Sequence, residues 1–550
     1  MRRGGETLAT ILRARASAAP DRTAIRFRAG DGWVSWTWGE FLERALSAAA
    51  GLSAAGLGVG DRALLLVPEV ENAVAVLFGA WALGVVPVPV GVPYRLDDVG
   101  QFIDGLRGTA RRMEAKALIT SAALASFASD NDGLRVLPAE DIAAGERSLR
   151  AVEMARGEGA PALIQLTSGS TGQPRGVVLA HDRLLTHMEQ MRRGLPSHAE
   201  SVAVSWLPLH HDMGLIGGLL FPFYNDFPAH MLSPQEFRAR PLSWLAAMSE
   251  VRGTICAAPP SAYAIALRLA KRAAEAGLRF DAWECAMVGA EPISPSLLRR
   301  FADAFAPMGF RAEAFFPVYG LAEATVAVSF PGLLSPARTD VVDREALSRF
   351  GVARACAAGA GAVEIAGVGA PIPETVVRVI AEDGQELPDR VVGEITVRAP
   401  SLMCGYFGDP EATGEALREG WLYTGDLGYV ADGCLFVTGR KKDVIIRGGQ
   451  NLSPAMIEEI AGEVPGVRAG CVAAVGVRSE EDETEKCHVL VESKVEPREH
   501  AALSAAVAEA LGARGIFVDR VHVVTPGTLL RTTSGKIRRG PIREALSGRG

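Results

Sequence analysis

Several short stretches of this 550-residue chain set hydroxyl, carboxylate or cationic side chains beside glycines, where side chain and backbone can meet an anion together. The first is Thr167, Ser168, Gly169, Ser170, Thr171 and Gly172, lying between an apolar run that ends at Leu166 and a β-branched run that starts at Val177. Glycine lets backbone N–H groups approach closely and the hydroxyls add donors, so such a loop can wrap a polyphosphate. A Walker loop would carry a lysine followed by Ser or Thr and open a helix. Here Arg175 and Gly176 follow, and Pro174 with the valine run predicts a hairpin. Taken alone, the same composition equally suits a solvated Ser/Gly turn.

Three acidic residues follow apolar runs that end in turns: Glu291 in Val288 to Ile293, Glu323 in Phe315 to Thr325, and Asp426 in Trp421 to Gly428. Open α/β sheets bind ligands at strand ends, and an acidic group beside a phosphate loop makes sense if a hard cation lies between them. Asp426 suits a ribose, whose hydroxyls a carboxylate can accept. For Glu291 the alternative is a carboxylate at a helix N-terminus. His210, His211 and Asp212 are adjacent, which on an extended chain points them apart and denies them metal-ligand spacing. The apolar segment Met213 to Phe223 that follows reads as core or as the wall of an apolar pocket. Lys536, flanked by Ser534 and Gly535, could reach phosphate charge or belong to a solvated basic tail.

These groups need a scaffold, and the chain alternates short apolar runs with Ala-rich helical stretches: strands at 23–27, 63–67, 85–90 and 116–120, helices at 37–55 and 72–83. That pattern predicts an α/β architecture with largely parallel sheets. The run from Ala73 to Val92 is apolar enough to suggest a membrane span, but Pro87, Pro89 and its glycines favour a buried helix and then a strand. Residues 331–361 are Ala-, Gly- and Arg-rich with weak periodicity and read as an insertion or surface excursion. The charged connector from Thr438 to Pro454 marks a domain boundary, and a compact α+β unit follows it. A formal net charge of -7 argues against nucleic acid as the main partner. Seven cysteines without a C-x-x-C pair and no export signal fit a reducing cytoplasm.

Taken together, the TSGSTG loop, GAEP at 289–292, YGLAE at 319–323, YTGD at 423–426, GRKKD at 439–443 and SGK at 534–536 resemble the adenylate-forming superfamily of acyl-CoA synthetases, adenylation domains and luciferases. The motifs occur in family order along nearly the whole chain. The resemblance implies a large N-terminal domain, residues 1–439, of two α/β subdomains and a β-barrel, then a hinge at 440–443 and a small mobile lid at 444–550. It implies that Thr167 to Gly172 embrace the phosphates of ATP with Arg175, which stands where a lysine is commoner. It places Gly289, Ala290, Glu291 and Pro292 with Tyr319 and Gly320 around the adenine, and Asp426 and Arg440 at the ribose. Glu323 would hold Mg²⁺, Lys442 would be the pivot, and His211 would border the acid's carboxylate. Lys536 would contact that carboxylate and the α-phosphate.

Within the superfamily, WLPLHHDMGLIGG at 206–218, YGLAEAT at 319–325 and the excursion at 331–361 look most like the fatty acyl-AMP ligases. That implies a fatty or similarly apolar acid, an acyl pocket bordered by Met213, Gly214 and Ile216, and an acyl carrier protein as acceptor. The segment Ile446 to Pro454 resembles instead the CoA-ligase form of the hinge region, so CoA is the alternative acceptor. A member that binds nucleotide or acyl ligand without turnover is the alternative outside enzymes.

Overall fold

The computed structural model describes residues 6–91, 99–125, 134–145, 159–167, 174–195, 197–198, 200–359, 361–447, 450–478, 485–532 and 536–547. The alternating pattern becomes two sheets of parallel strands. One runs in the order Phe315–Pro317, Cys285–Val288, Ile255–Ala258, Ala203–Ser205, Ala229–Met231 and Thr23–Ala29, with Gly32–Thr37 antiparallel at its edge. The other orders Val86–Pro89, Arg62–Leu66, Ala115–Thr120 and Arg135–Pro138. The acidic loops at Glu291 and Glu323 therefore follow neighbouring strands of one sheet, at the end where such sheets take ligands.

Local chemistry explains the helices that cover these sheets. Helix Trp38–Ala54 starts at Thr37, whose hydroxyl accepts from the Glu40 N–H while the Glu40 carboxylate accepts from the Thr37 N–H. Such a box contributes about 1 kcal/mol. Helix Val70–Leu83 stops at Gly84, which takes φ +83° as a left-handed cap. It is apolar all round because it is buried all round: Gly79 lets it approach Ala48 and Ala49, and the Trp81 indole donates to the Ala162 carbonyl at 2.6 Å. Strand Val86–Pro89 follows, so the apolar run at 73–92 is a core helix and a strand. Among the described residues no helix is long and apolar enough to cross a membrane. Phe41, Phe78 and Phe223 meet edge to face nearby, each ring worth about 1.5–3 kcal/mol on burial.

The middle of the chain is antiparallel. Pro161–Thr167 pairs with Arg175–Ala180, and Gly405–Tyr406 adds to the latter strand. Val376–Ile380, Gly393–Arg398, Trp421–Ala431, Leu417–Arg418 and Cys434–Arg440 make a five-stranded sheet. The excursion at 331–361 is more ordered than its composition suggests. Strand Thr339–Asp343 pairs with Ala362–Ala366, helix Arg344–Phe350 lies between them, and Val342 and Ala353 are buried with Tyr429 and Phe436. Its weak periodicity reflects a short helix capped by Asp343 and ended by Gly351, not an absence of structure.

Beyond the connector, strands Val467–Arg478, Glu485–Ser493 and Arg520–Val524 form a separate three-stranded sheet. Ile457, Val472, Val489, Leu503, Val507 and Leu511 close a core of their own beneath it. Several contacts lean this unit on the rest. Ser294, the N-cap of helix Pro295–Phe305, donates to Glu459, and Arg344 of the excursion donates to the Arg514 carbonyl.

Candidate functional site

The hairpin predicted from Pro174 is present: Thr167 ends one strand, Arg175 begins the next, and the two are paired across it. Ser168, Gly169, Ser170, Thr171 and Gly172 lie outside the described residues. The hairpin is tightly seated, since a Cβ on Gly176 would come within 2.6 Å of the Met113 sulfur. Arg175 lays its guanidinium over the Tyr406 ring, 5.3 Å from the centroid, with Nε 3.9 Å from Asp409.

On the neighbouring strand ends, the backbone is strained where the ligand loops turn. Ala290 holds φ +68° and Thr325 φ +72°, conformations that cost about 1–3 kcal/mol in residues other than glycine. Gly289 sits against Val318, whose Cγ2 would be 2.8 Å from any added Cβ, and Gly320 packs on the Val326 carbonyl at 1.7 Å by the same measure. Glu291 is already employed. Its carboxylate accepts from the Ser261 N–H at 3.0 Å and the Ser261 hydroxyl at 3.1 Å, at the start of helix Pro260–Leu267. Of its two readings from sequence, the helix-terminus one describes the side chain, and Pro292 simply follows it in the turn.

Tyr319, Asp426 and Arg440 form one assembly. The buried Tyr319 hydroxyl donates to Asp426 Oδ2 at 2.8 Å, and Arg440 Nε lies 2.9 Å from Oδ1. Asp426 and Arg440 face each other across paired strands, so backbone register fixes the pair. Burial, and then the Asp426 charge, push the Tyr319 phenol well above its ordinary range, so it stays a donor. Only 5 % of Asp426 is exposed, which leaves an oriented carboxylate at the edge of the fold's large unit.

Glu323 stands on the short turn Ala322–Ala324, with its own carbonyl accepting from Met403 N at 2.9 Å. Its Oε1 accepts from the Tyr406 hydroxyl at 2.8 Å. Among the described residues Oε2 has no hydrogen-bond partner, and no cluster of three or more His, Cys, Asp or Glu stands ready for a metal. A single oriented carboxylate is a donor that suits Mg²⁺, which takes its remaining ligands from phosphate oxygens and water.

The His210, His211, Asp212 segment departs from expectation. It is a turn rather than an extended strand, and the two imidazoles lie together with ring centroids 4.4 Å apart. Gln165, on the strand that enters the phosphate hairpin, donates to the His210 carbonyl at 2.6 Å. Asp212 then accepts from Met213 N at 2.7 Å and starts a π-helix, Met213–Leu220. Runs of this kind gather at functional sites because the wider turn re-aims side chains. Met213 is half-buried, Ile216 is fully buried, and Gly214 is pressed on the Pro208 carbonyl, where an added Cβ would stand 2.2 Å away. Gly214 thus permits the close approach to Pro208. Gly217, by contrast, faces open space.

Lys536, from the far end of the chain, acts on this segment through its charge. Burial pushes the Asp212 carboxyl up, and the Lys536 charge is the largest influence pulling it back, with Glu323 also acting on it. The loop that carries Lys536 is stapled at its base: Thr532 N donates to the Lys536 carbonyl at 2.8 Å and Arg538 N to the Leu530 carbonyl at 2.8 Å. Arg539 then reaches both oxygens of Glu458 at 2.7 Å and lies 3.8 Å from Asp443, next to Lys442 in the connector. Lys442 itself lies in the short turn Lys441–Asp443.

Sequence reasoning passed over Tyr406, Met403 and the Glu458–Arg539 pair. The only signal for Tyr406 is an aromatic residue after a glycine, just ahead of the helix cap at Asp409.

With this geometry in place, comparison with known proteins is informative. The model of a family described as AMP-binding enzyme matches residues 12–407. A Caulobacter vibrioides protein with a provisional acyl-CoA synthetase name is 33% identical over 98% of this chain and 95% of its own. The long-chain-fatty-acid–AMP ligase FadD26 of Mycobacterium tuberculosis is 32% identical over 97% and 96%. A structure from work on fatty acyl-adenylate ligases of E. coli and L. pneumophila superposes with a TM-score of 0.91 at 32% identity, covering 98% of each chain.

Proposed function

This chain belongs to the AMP-binding enzyme family, and from that premise we propose that it activates a fatty or similarly apolar carboxylic acid with ATP and passes the acyl group to the phosphopantetheine thiol of an acyl carrier protein. The observation that carries the reading is the buried Tyr319–Asp426–Arg440 assembly together with the Glu323 carboxylate that Tyr406 orients, and the charge of Lys536, which acts on Asp212, supports it. A carboxylate oxygen of the acid attacks the α-phosphorus, an O–P bond forms, and the bond to the leaving pyrophosphate breaks. Both reactants are anionic, so the step needs cations placed where charge gathers. Lys536 and Arg175 supply fixed positive charge, and Mg²⁺ held at Glu323 would neutralise phosphate oxygens. Asp426, oriented by Tyr319 and Arg440, accepts from the ribose hydroxyls, and the strained turn at Gly289 and Ala290 borders the adenine with Gly320. His211 borders the acid's carboxylate, while Met213 and the π-helix after it flank its chain.

Residues 1–439 act as the adenylating body and 444–550 as a lid that turns about Lys442 in the connector 440–443. The influence of the Lys536 charge on Asp212 supports a pose in which Lys536 serves adenylate formation. Thiol transfer needs room for a pantetheine arm, and turning the lid would withdraw Lys536. The excursion at 331–361 touches the lid through Arg344 and the Arg514 carbonyl, which supports a role in restraining that turn. Restraint of this kind favours a carrier protein over free CoA.

The test is incubation with ATP, Mg²⁺ and carboxylic acids of graded length, with CoA or a phosphopantetheinylated carrier protein, and mass spectrometry of the products. Acyl-AMP that persists with CoA and is consumed by the carrier is the expected result. Acyl-CoA as the main product would make CoA the acceptor, and no adenylate from any acid would leave a binding protein.

A further inference from the structure

We propose that Tyr406 is a positioning residue that aims the Glu323 carboxylate and locks it to the phosphate hairpin through Arg175. The inference rests on the reading of Glu323 as the Mg²⁺ carboxylate. Three elements converge on one ring. Tyr406 belongs to the two-residue strand Gly405–Tyr406, which pairs with Val177 and Val178 of the phosphate hairpin. Phe407 N continues the ladder to the Gly176 carbonyl at 2.8 Å, and Tyr406 N donates to the Thr413 hydroxyl at 2.9 Å. The ring is therefore fixed to the hairpin by backbone bonds on either side of it. From there its hydroxyl donates to Glu323 Oε1 at 2.8 Å, and its face receives the Arg175 guanidinium at 5.3 Å.

Each contact has a physical consequence. A hydroxyl donating to one oxygen of a carboxylate selects a single rotamer and leaves the other oxygen free of that constraint for a cation. A phenol keeps its proton through the neutral range, so the hydroxyl remains a donor. The planar guanidinium can lie flat on the ring and keep its N–H edge for other acceptors, which an ammonium cannot do. The arginine at 175 thus fits this neighbour. The Glu323 carboxylate and the hairpin strand that starts at Arg175 are then tied through one ring.

The test compares Tyr406→Phe, Glu323→Gln and the double variant, reading Mn²⁺ binding by electron paramagnetic resonance in the presence of ATP, and the Mg²⁺ dependence of ATP–pyrophosphate exchange. Phenylalanine keeps the ring under Arg175 and removes only the hydroxyl. Tyr406→Phe is expected to weaken Mn²⁺ binding about tenfold, as the loss of one bond to a charged group would. It should raise the Mg²⁺ requirement in parallel and add no more than about twofold in the Glu323→Gln background. Mn²⁺ affinity within about twofold of the unaltered protein, or an undiminished effect when Glu323 is already glutamine, would overturn the positioning role. If Glu323→Gln alone leaves Mn²⁺ binding unchanged, the metal reading of Glu323 fails and this inference with it. A strong Glu323→Gln effect with none from Tyr406→Phe sinks the inference alone.

Discussion

Lys536 and Asp212 set the terms at the scale of single residues. The exposed Lys536 ammonium pulls down an Asp212 carboxyl that burial pushes up. Lys536→Ala is expected to lower adenylate formation by at least about a hundredfold, the usual consequence of removing a group aimed at developing charge. Transfer from supplied acyl-AMP to a thiol should fall far less, because no phosphoryl charge builds in that step. Single-turnover assays of the two half-reactions separate these, and equal losses in both would deny Lys536 its specific part. Glu291 teaches the reverse. It lies in a motif that points to nucleotide, yet both its oxygens hold Ser261, so a motif residue can serve its neighbours' backbone while the turn around it serves the ligand.

At the scale of elements, the strained turns decide the geometry. Gly320→Ala would put a methyl 1.7 Å from the Val326 carbonyl, a backbone atom that cannot step aside without moving Thr325 and Glu323. We expect that substitution to destabilise the protein by about 3 kcal/mol and to abolish ATP binding, measured by denaturation and calorimetry. Wild-type affinity would show that the turn is slack. The phosphate hairpin is legible in the sequence because proline and a β-branched run carry their conformation locally, and the βα alternation is legible for the same reason. The π-helix is not, since an all-apolar run has no polar residue to mark its period. Nor is Tyr406, whose strand has two residues and whose partner lies 83 positions away in the chain. The excursion misleads for a third reason: alanine and glycine hide its buried face, to which Val342, Ala346 and Ala353 belong.

For the molecule as a whole, acidity should loosen the fold from within. Burial lowers His187 to about 3, and His181 and His230 to about 4. His187 also joins two parts of the large unit, accepting from Ala327 N at 3.1 Å and meeting the Ser401 hydroxyl at 3.1 Å. These imidazoles are neutral in both folded and unfolded chains above their ordinary range near 6.5, and below it only the unfolded chain takes up protons. Stability should therefore fall as pH drops from about 6.5 toward 4, by up to about 1.4 kcal/mol per unit for each histidine. Urea midpoints at pH 7.5 and 5.5 check this, and equal midpoints would mean that the three are solvated. The other whole-molecule feature is that Lys536 is delivered by a unit with its own core, joined through a short connector. A covalent tether of that kind holds its cargo at an effective concentration in the millimolar range or above, whatever the amount of protein in the cell. With Lys536 acting as proposed, its supply to the site is independent of dilution and is set by the geometry of a few linking residues.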